Sequence, residues 1–369
     1  MNTFIPSLAV AIIIFYVQPA FCEQGFERVP SGYKTAEGST LEITNLPKRR
    51  SQGSAPICYA SVAASIIDYE YCKANNITDC SLLSDDKRVS MIDLSRYNHD
   101  LPENVDISDR FNYEGLSDKG SSAVYVIDVA RRTQQVAKES CAPESAINFY
   151  EDGRAESVIK GLKIKEMLKL MYEGYQEKTK QDKTQAENYA NAAANFILAE
   201  INLLTLQKDV VNAFKESSFE KFTDMVYVPD ICWDIKNQLD IKRNWEIGQS
   251  EKMNYAKSID KIKELLKNKN LPVLGICAEE PLKSKVMKQC SAGHSVYVAG
   301  YRKMCGKGNT CVDVIRVINS WGTKWQEDHD DGWVMAKPLL NRGFYEKASI
   351  EWAYLTPAPL KDQNKLAAK

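Results

Sequence analysis

The stretch Gln52–Tyr59, QGSAPICY, opens onto an unbroken run of apolar and small residues from Cys58 to Ile67. A run of that kind predicts a helix from Cys58 to about Tyr71. A helix so largely apolar packs in the middle of a domain, not on its surface. A cysteine at its first position faces unpaired backbone N–H groups and the positive end of the helix dipole. Both favour thiolate over thiol, so Cys58 reads as a nucleophile near neutral pH. Gln52, with five residues between it and Cys58, brings an uncharged N–H donor suited to an oxyanion.

Such a nucleophile needs a base to take its proton and return it to the leaving group. The chain has 3 histidines. His329 lies in a charged loop, EDHDDG, and His99 in a polar one. His294, in AGHSVYVAGY, leads into a buried strand and is the candidate. Asn319, in VINSWG, ends a strand that would pair with it and so can orient the ring. Without a C-x-x-C pair, and with so few histidines, no metal centre is expected. No cofactor is needed by this chemistry.

Composition agrees with an enzyme rather than a nucleic-acid binder. The 369 residues suffice for one large domain or two ordinary ones. Hydrophobic content of 44% and charged content of 26% fit a folded globular chain. A net charge of −1 lacks the clustered base that phosphate binding requires.

Residues 1–22 read as a secretory signal: an apolar core, Leu8–Val17, precedes the exit Ala20-Phe21-Cys22. The core is too short to span a bilayer. An exported protein, secreted or periplasmic, with no membrane span is expected. Cys22 falls in the signal and Cys58 is reactive, so eight of the 10 cysteines remain, an even set. Near neighbours suggest the disulfides Cys72–Cys80, Cys277–Cys290 and Cys305–Cys311, leaving Cys141 for Cys232. The first of these loops holds the sequon Asn76-Ile77-Thr78, read here as a plain polar loop.

Residues 23–51 read as an extended lead-in. Val89–Leu94 is a short helix, and Ser121 or Ser122 caps another through about Ala137. Ile164, Leu168, Met171, Tyr172 and Tyr175 follow helical spacing, as do Phe196, Leu203, Leu206, Val210 and Phe214. They predict two long antiparallel helices turning near the polar run EKTKQDKTQAEN, a packing unit without chemistry. A helix over Ile259–Leu266 precedes a buried strand, Val273–Cys277. Ser295–Tyr301 and Cys311–Asn319 read as paired strands, Gly332–Met335 as another, and the tail beyond Tyr354 as mobile.

QGSAPICYA, GHSVYVAGY and NSWGTKW, followed by DGW at 331–333, occur in the order of the papain-like cysteine peptidase motifs. Over about 40–150 and 256–355 the chain resembles that family. It departs from the signature C-G-[SA]-C-[WY]: Ala55 stands for the first cysteine and Pro56-Ile57 for the next two residues. The interval from Cys58 to His294 exceeds the family's roughly 130–150 residues, and the block 150–255 accounts for the surplus.

The resemblance implies an α+β, two-lobed papain-like fold. A helical left lobe would cover 52–149 and a β-rich right lobe 256–355, with the active-site cleft between them. Residues 150–255 would form an inserted helical hairpin. Cys58 and His294 would rest as a thiolate–imidazolium pair oriented by Asn319. Gln52 and the Cys58 N–H would hold the oxyanion, and Trp321 would shield the ring. Lys119, Gly120 and Ser121 would border the substrate cleft, with Gly293 beside the histidine. The implied partners are a protein or peptide substrate and a separate proteinaceous inhibitor. The latter is suggested because only the lead-in stands where the family carries a long inhibitory propeptide. The inserted helices are the other source of latency. The alternatives are a thiol acyltransferase or amidase on this scaffold, and an exported binding protein using the insertion.

Overall fold

The computed structural model describes residues 26–53, 55–97, 121–133, 136–147, 155–201, 205–229, 231–232, 245–251, 253–278, 293–342 and 350–356. Residues 1–25, which include the expected signal, lie outside them, as do His99, Lys119, Gly120, Leu203, Cys290 and the tail from 357. The chain has an α+β fold built on one antiparallel sheet.

Helix α1 (Cys58–Ala74) is the hub, buried at every position from Cys58 to Glu70. It packs against α2 (Met91–Leu94) and α3 (Ala123–Thr133) on one side, and against strands β5 (Gly293–Cys305) and β8 (Ile350–Leu355) on the other. The small residues Ala60, Ala63 and Ala64, fully buried, let these neighbours approach. The helix runs one turn past the expected Tyr71. Its far end is tied by the Cys72–Cys80 disulfide. The Asn45 amide also braces that end, donating to the Ile77 carbonyl (2.7 Å) and accepting from the Cys80 N–H (2.7 Å). Asn76 of the sequon is exposed there, with a left-handed φ of 53°. Ser122 caps α3, accepting from the Val124 N–H at 3.2 Å. The helix stops at Thr133, before Ala137, whose N–H goes to the Asp93 carboxylate (2.6 Å) instead.

The remaining strands are β1 (Lys34–Thr35), β2 (Leu41–Glu42), β3 (Trp245–Gln249), β4 (Val273–Cys277), β6 (Cys311–Ile318) and β7 (Trp333–Met335). Their order is β3-β8-β4-β5-β6-β7. Where β4 ends, β2 and β1 continue along the same edge of β5, so the lead-in belongs to the sheet. β3 pairs with β8 along its whole length, which draws residues of the 150–255 block into the sheet. α8 (Tyr255–Lys267) starts at an Asn254 cap, four residues ahead of the expected Ile259. Two short helices, α9 (Thr323–Asp328) and α10 (Ala336–Leu340), flank β7. Cys305–Cys311 closes the β5–β6 turn. Cys277 is also disulfide-bonded.

The 150–255 block differs from the expected hairpin. α4 (Ala155–Gln181) and α5 (Lys183–Glu200) meet at Asp182, inside the polar run. Its carboxylate caps α5 through the Thr184 and Gln185 N–H groups (2.8 and 3.2 Å). The second helix ends at Glu200, and Val210 lies on a separate α6 (Gln207–Ala213), followed by α7 (Phe219–Tyr227). Among the described side chains of α4, Ile164, Leu168, Tyr172 and Tyr175 are buried, as the spacing predicts, while Met171 is half-buried. On α5 they are Ala186, Ala190, Ala193, Ala194 and Ile197, while Phe196 is 49% exposed. Tyr172, Tyr175, Phe214, Phe219 and Phe222 form an aromatic cluster, with Phe214 and Phe222 centroids 4.8 Å apart. Two ties hold the block to the helical side: the Cys141–Cys232 disulfide, and a buried ion pair from Arg96 Nε to Asp224 of α7 (3.2 Å). Among the described residues no helix is long and apolar enough to cross a membrane.

Candidate active site

Cys58 is the first residue of α1, and its thiol is free and buried. The backbone N–H of Ser295 donates to it, so the sulfur lies against the residue that follows His294 on β5. His294 itself is buried, and its Nε2 lies 2.8 Å from Asn319 Oδ1. An amide oxygen only accepts, so this bond puts the ring proton on Nε2 and leaves Nδ1 as the basic nitrogen. The pairing of β5 with β6 sets the meeting, because Tyr297 is opposite Ile318 and Asn319 follows directly. Trp321 stacks on the His294 ring at a centroid distance of 4.4 Å.

Gln52 comes to the same place from the lead-in. Its backbone N–H donates to the Ser320 carbonyl (3.0 Å), and its Oε1 accepts from Ser320 Oγ (2.6 Å). Nε2 donates to the Ala55 carbonyl at 2.8 Å. That uses one of the two amide protons and leaves one for a ligand.

Burial governs the electrostatics. It pushes the Cys58 thiol up, outweighing the helix N–H groups and the Ser295 N–H that favour thiolate. It pulls His294 down to about 4, although the Asn319 bond favours the charged ring. Burial thus favours the neutral form of each group. The expected thiolate–imidazolium pair would form against that desolvation, with the helix N-terminus favouring the anion.

Of the substrate-cleft candidates, Ser121 is half-buried just ahead of α3 and Gly293 is exposed at the start of β5. Lys119 and Gly120 fall outside the described residues. His329, read as a loop residue, is buried against Trp325 (centroids 4.1 Å), with Nδ1 on the Trp325 carbonyl.

Three supporting residues escaped the sequence reading. Gln326 is fully buried and bridges the strand end that carries Asn319. It donates to the Val317 carbonyl (2.7 Å) and accepts from the Asn319 N–H (3.4 Å). Ser320 fixes which way the Gln52 amide faces. Phe26 of the lead-in packs edge-on against Trp321 and Trp325 (5.7 and 5.0 Å). Only the serine had a visible signal, its place beside Asn319.

No protein-family model and no curated protein sequence matches the chain. Among solved structures it is similar to the SERA5 proenzyme of Plasmodium falciparum, at 14% identity and a TM-score of 0.39. The match covers 85% of this chain but 63% of that one, just under two thirds of its length. It is similar also to SERA5E of the same organism, at 14% identity and a TM-score of 0.39, covering 85% of this chain and 91% of that chain. A further SERA5E structure, with loop 690–700 ordered, gives 13% identity and a TM-score of 0.40. Likeness at this level assigns neither a family nor an activity.

Proposed function

We propose that the chain is a papain-like cysteine peptidase, exported, in which Cys58 attacks the carbonyl carbon of a peptide bond. The observation that supports this most is the contact set at one point: the Cys58 thiol against the Ser295 N–H, with the neighbouring His294 bonded to Asn319 beneath Trp321. With both groups neutral at rest, His294 Nδ1 acts as general base and takes the thiol proton as the C–S bond forms. The carbonyl electron pair moves onto oxygen, where the second Gln52 amide proton and the Cys58 N–H meet it. Collapse breaks the C–N bond, and the imidazolium returns its proton to the leaving amine. Water, deprotonated by His294, then releases the acyl group from sulfur.

The test is a digest of denatured casein beside labelling by an epoxysuccinyl probe. The wild type is expected to cleave and to be labelled, and Cys58→Ala to do neither. Labelling without cleavage, but with transfer of acyl groups to added amines, would reassign the site to an acyltransferase. An intact protein that neither labels nor cleaves removes the enzyme reading altogether.

A further inference from the structure

The oxyanion donor and the nucleophile sit on different pieces of chain, so something must set their separation. The sheet side is fixed by the backbone and side-chain bonds between Gln52 and Ser320. On the helix side, the candidate stands two residues earlier. Arg50 is 3% exposed and spreads its guanidinium over three segments. Nη2 donates to Asp68 Oδ2 (2.6 Å) and to the Val89 carbonyl (2.7 Å). Nη1 donates to Glu139 Oε2 (2.9 Å). Both carboxylates are buried and otherwise engaged: Asp68 Oδ1 accepts from the Val89 N–H (2.9 Å) and Glu139 Oε1 from the Glu144 N–H (2.6 Å).

Asp68 lies on α1, the helix that begins with Cys58. A helix is a rigid spacer of about 1.5 Å per residue, so whatever is bonded to Asp68 is held at a fixed offset from the Cys58 sulfur. Within three residues the chain is thus fastened to both structures that build the site. Arg50 holds it to the nucleophile's helix, Ser51 pairs with Trp321, and Gln52 bonds the strand end beside Asn319.

We infer that Arg50 is a positioning residue for the oxyanion site, locking the Gln52 amide to α1 at the distance acyl transfer needs. This rests on the peptidase reading. A planar, always-charged fork suits the task, because a lysine reaches one carboxylate as a point charge and cannot bridge all three acceptors.

The test separates positioning from bulk stability by using two reactions of the same sulfur. Hydrolysis of a peptide ester or amide passes through an oxyanion, whereas alkylation by iodoacetamide displaces iodide at a saturated carbon and forms none. Arg50→Lys keeps the charge and is the first variant; Arg50→Met and Glu139→Gln follow. For Arg50→Lys, kcat is expected to fall at least about tenfold with KM nearly constant, an interaction made only in the transition state. The alkylation rate of Cys58 stays at the wild-type value. In the Gln52→Ala background, Arg50→Lys costs little more, because the residue acts through Gln52.

Three outcomes overturn the inference. Unchanged kcat in a folded Arg50→Lys does so alone and leaves the peptidase reading standing. So does an equal loss in alkylation and hydrolysis, which would mean that Arg50 supports α1 in general. A wild-type protein that alkylates at Cys58 yet hydrolyses no peptide removes the peptidase reading and this inference with it.

Discussion

At the residue scale, the burial of Cys58 and His294 sets the pH behaviour. His294 is pulled to about 4 by burial, below its ordinary 6.5. Between those values the unfolded chain binds a proton that the folded one does not, so acidification destabilises the fold. The loss begins as pH falls below 6.5 and is complete near 4, reaching about 3 kcal/mol. Urea midpoints at pH 7.5 and 4.5 measure it, and His294→Asn, which removes the titrating group, should flatten the difference. For Cys58 the raised thiol predicts an iodoacetamide rate that climbs with pH through and above neutrality. A plateau from pH 4 to 8 would mean that the pair ionises at rest after all. Trp321→Ala uncovers the ring and forfeits a stack at 4.4 Å. The expected result is a fall in kcat of about tenfold with a small change in KM.

Residue types and their order were legible because chemistry restricts them: few side chains can be a nucleophile or its base. What the sequence concealed was the environment. Nothing in AGHSVYVAGY reveals how far a buried site displaces titration. Nothing in EDHDDG tells that His329 turns inward, since charge along a loop describes its neighbours and not one ring. Arg50 was hidden in the same way. It is one of three consecutive basic residues, Lys48-Arg49-Arg50, that look like solvated surface, yet its partners are buried carboxylates on distant segments.

At the scale of elements, apolar spacing found α1, α4, α8 and the central strands, where side-chain pattern decides. It failed where the backbone or small residues decide. β1 and β2 are two-residue strands held by main-chain bonds to β5, too short for any alternation to mark them. The α5 seam is made of alanines, which permit close helix approach; weighing large side chains selected the exposed Phe196 instead. The joint between α7 and the helical side is ionic. Asp224→Ala takes one buried counter-charge from the fully buried Arg96, which keeps its pair with Asp93. Breaking a buried pair costs about 3 kcal/mol. The urea midpoint should fall accordingly with an unchanged slope.

For the whole molecule, the 150–255 block is not a detachable unit. Its last strand, β3, is part of the sheet beside β8, and α7 carries the charge that Arg96 needs. Removing residues 155–250 would take both away, so loss of activity in that deletion would report unfolding and not latency. A Cys141→Ser, Cys232→Ser double variant is the milder probe. The disulfide spans 91 residues, and opening a loop of that size returns about 4.6 kcal/mol of chain entropy to the unfolded state. Weakened stability with retained hydrolysis is expected, since the bridge includes neither Cys58 nor His294.

The same sulfur bridge has another consequence. A single backbone scission between α4 and α5, at the exposed turn around Asp182, would fall inside the covalent ring it closes. The halves, one with Cys58 and the other with His294, would stay joined. Such a clipped species should migrate as one band on a non-reducing gel and as two once thiol is added.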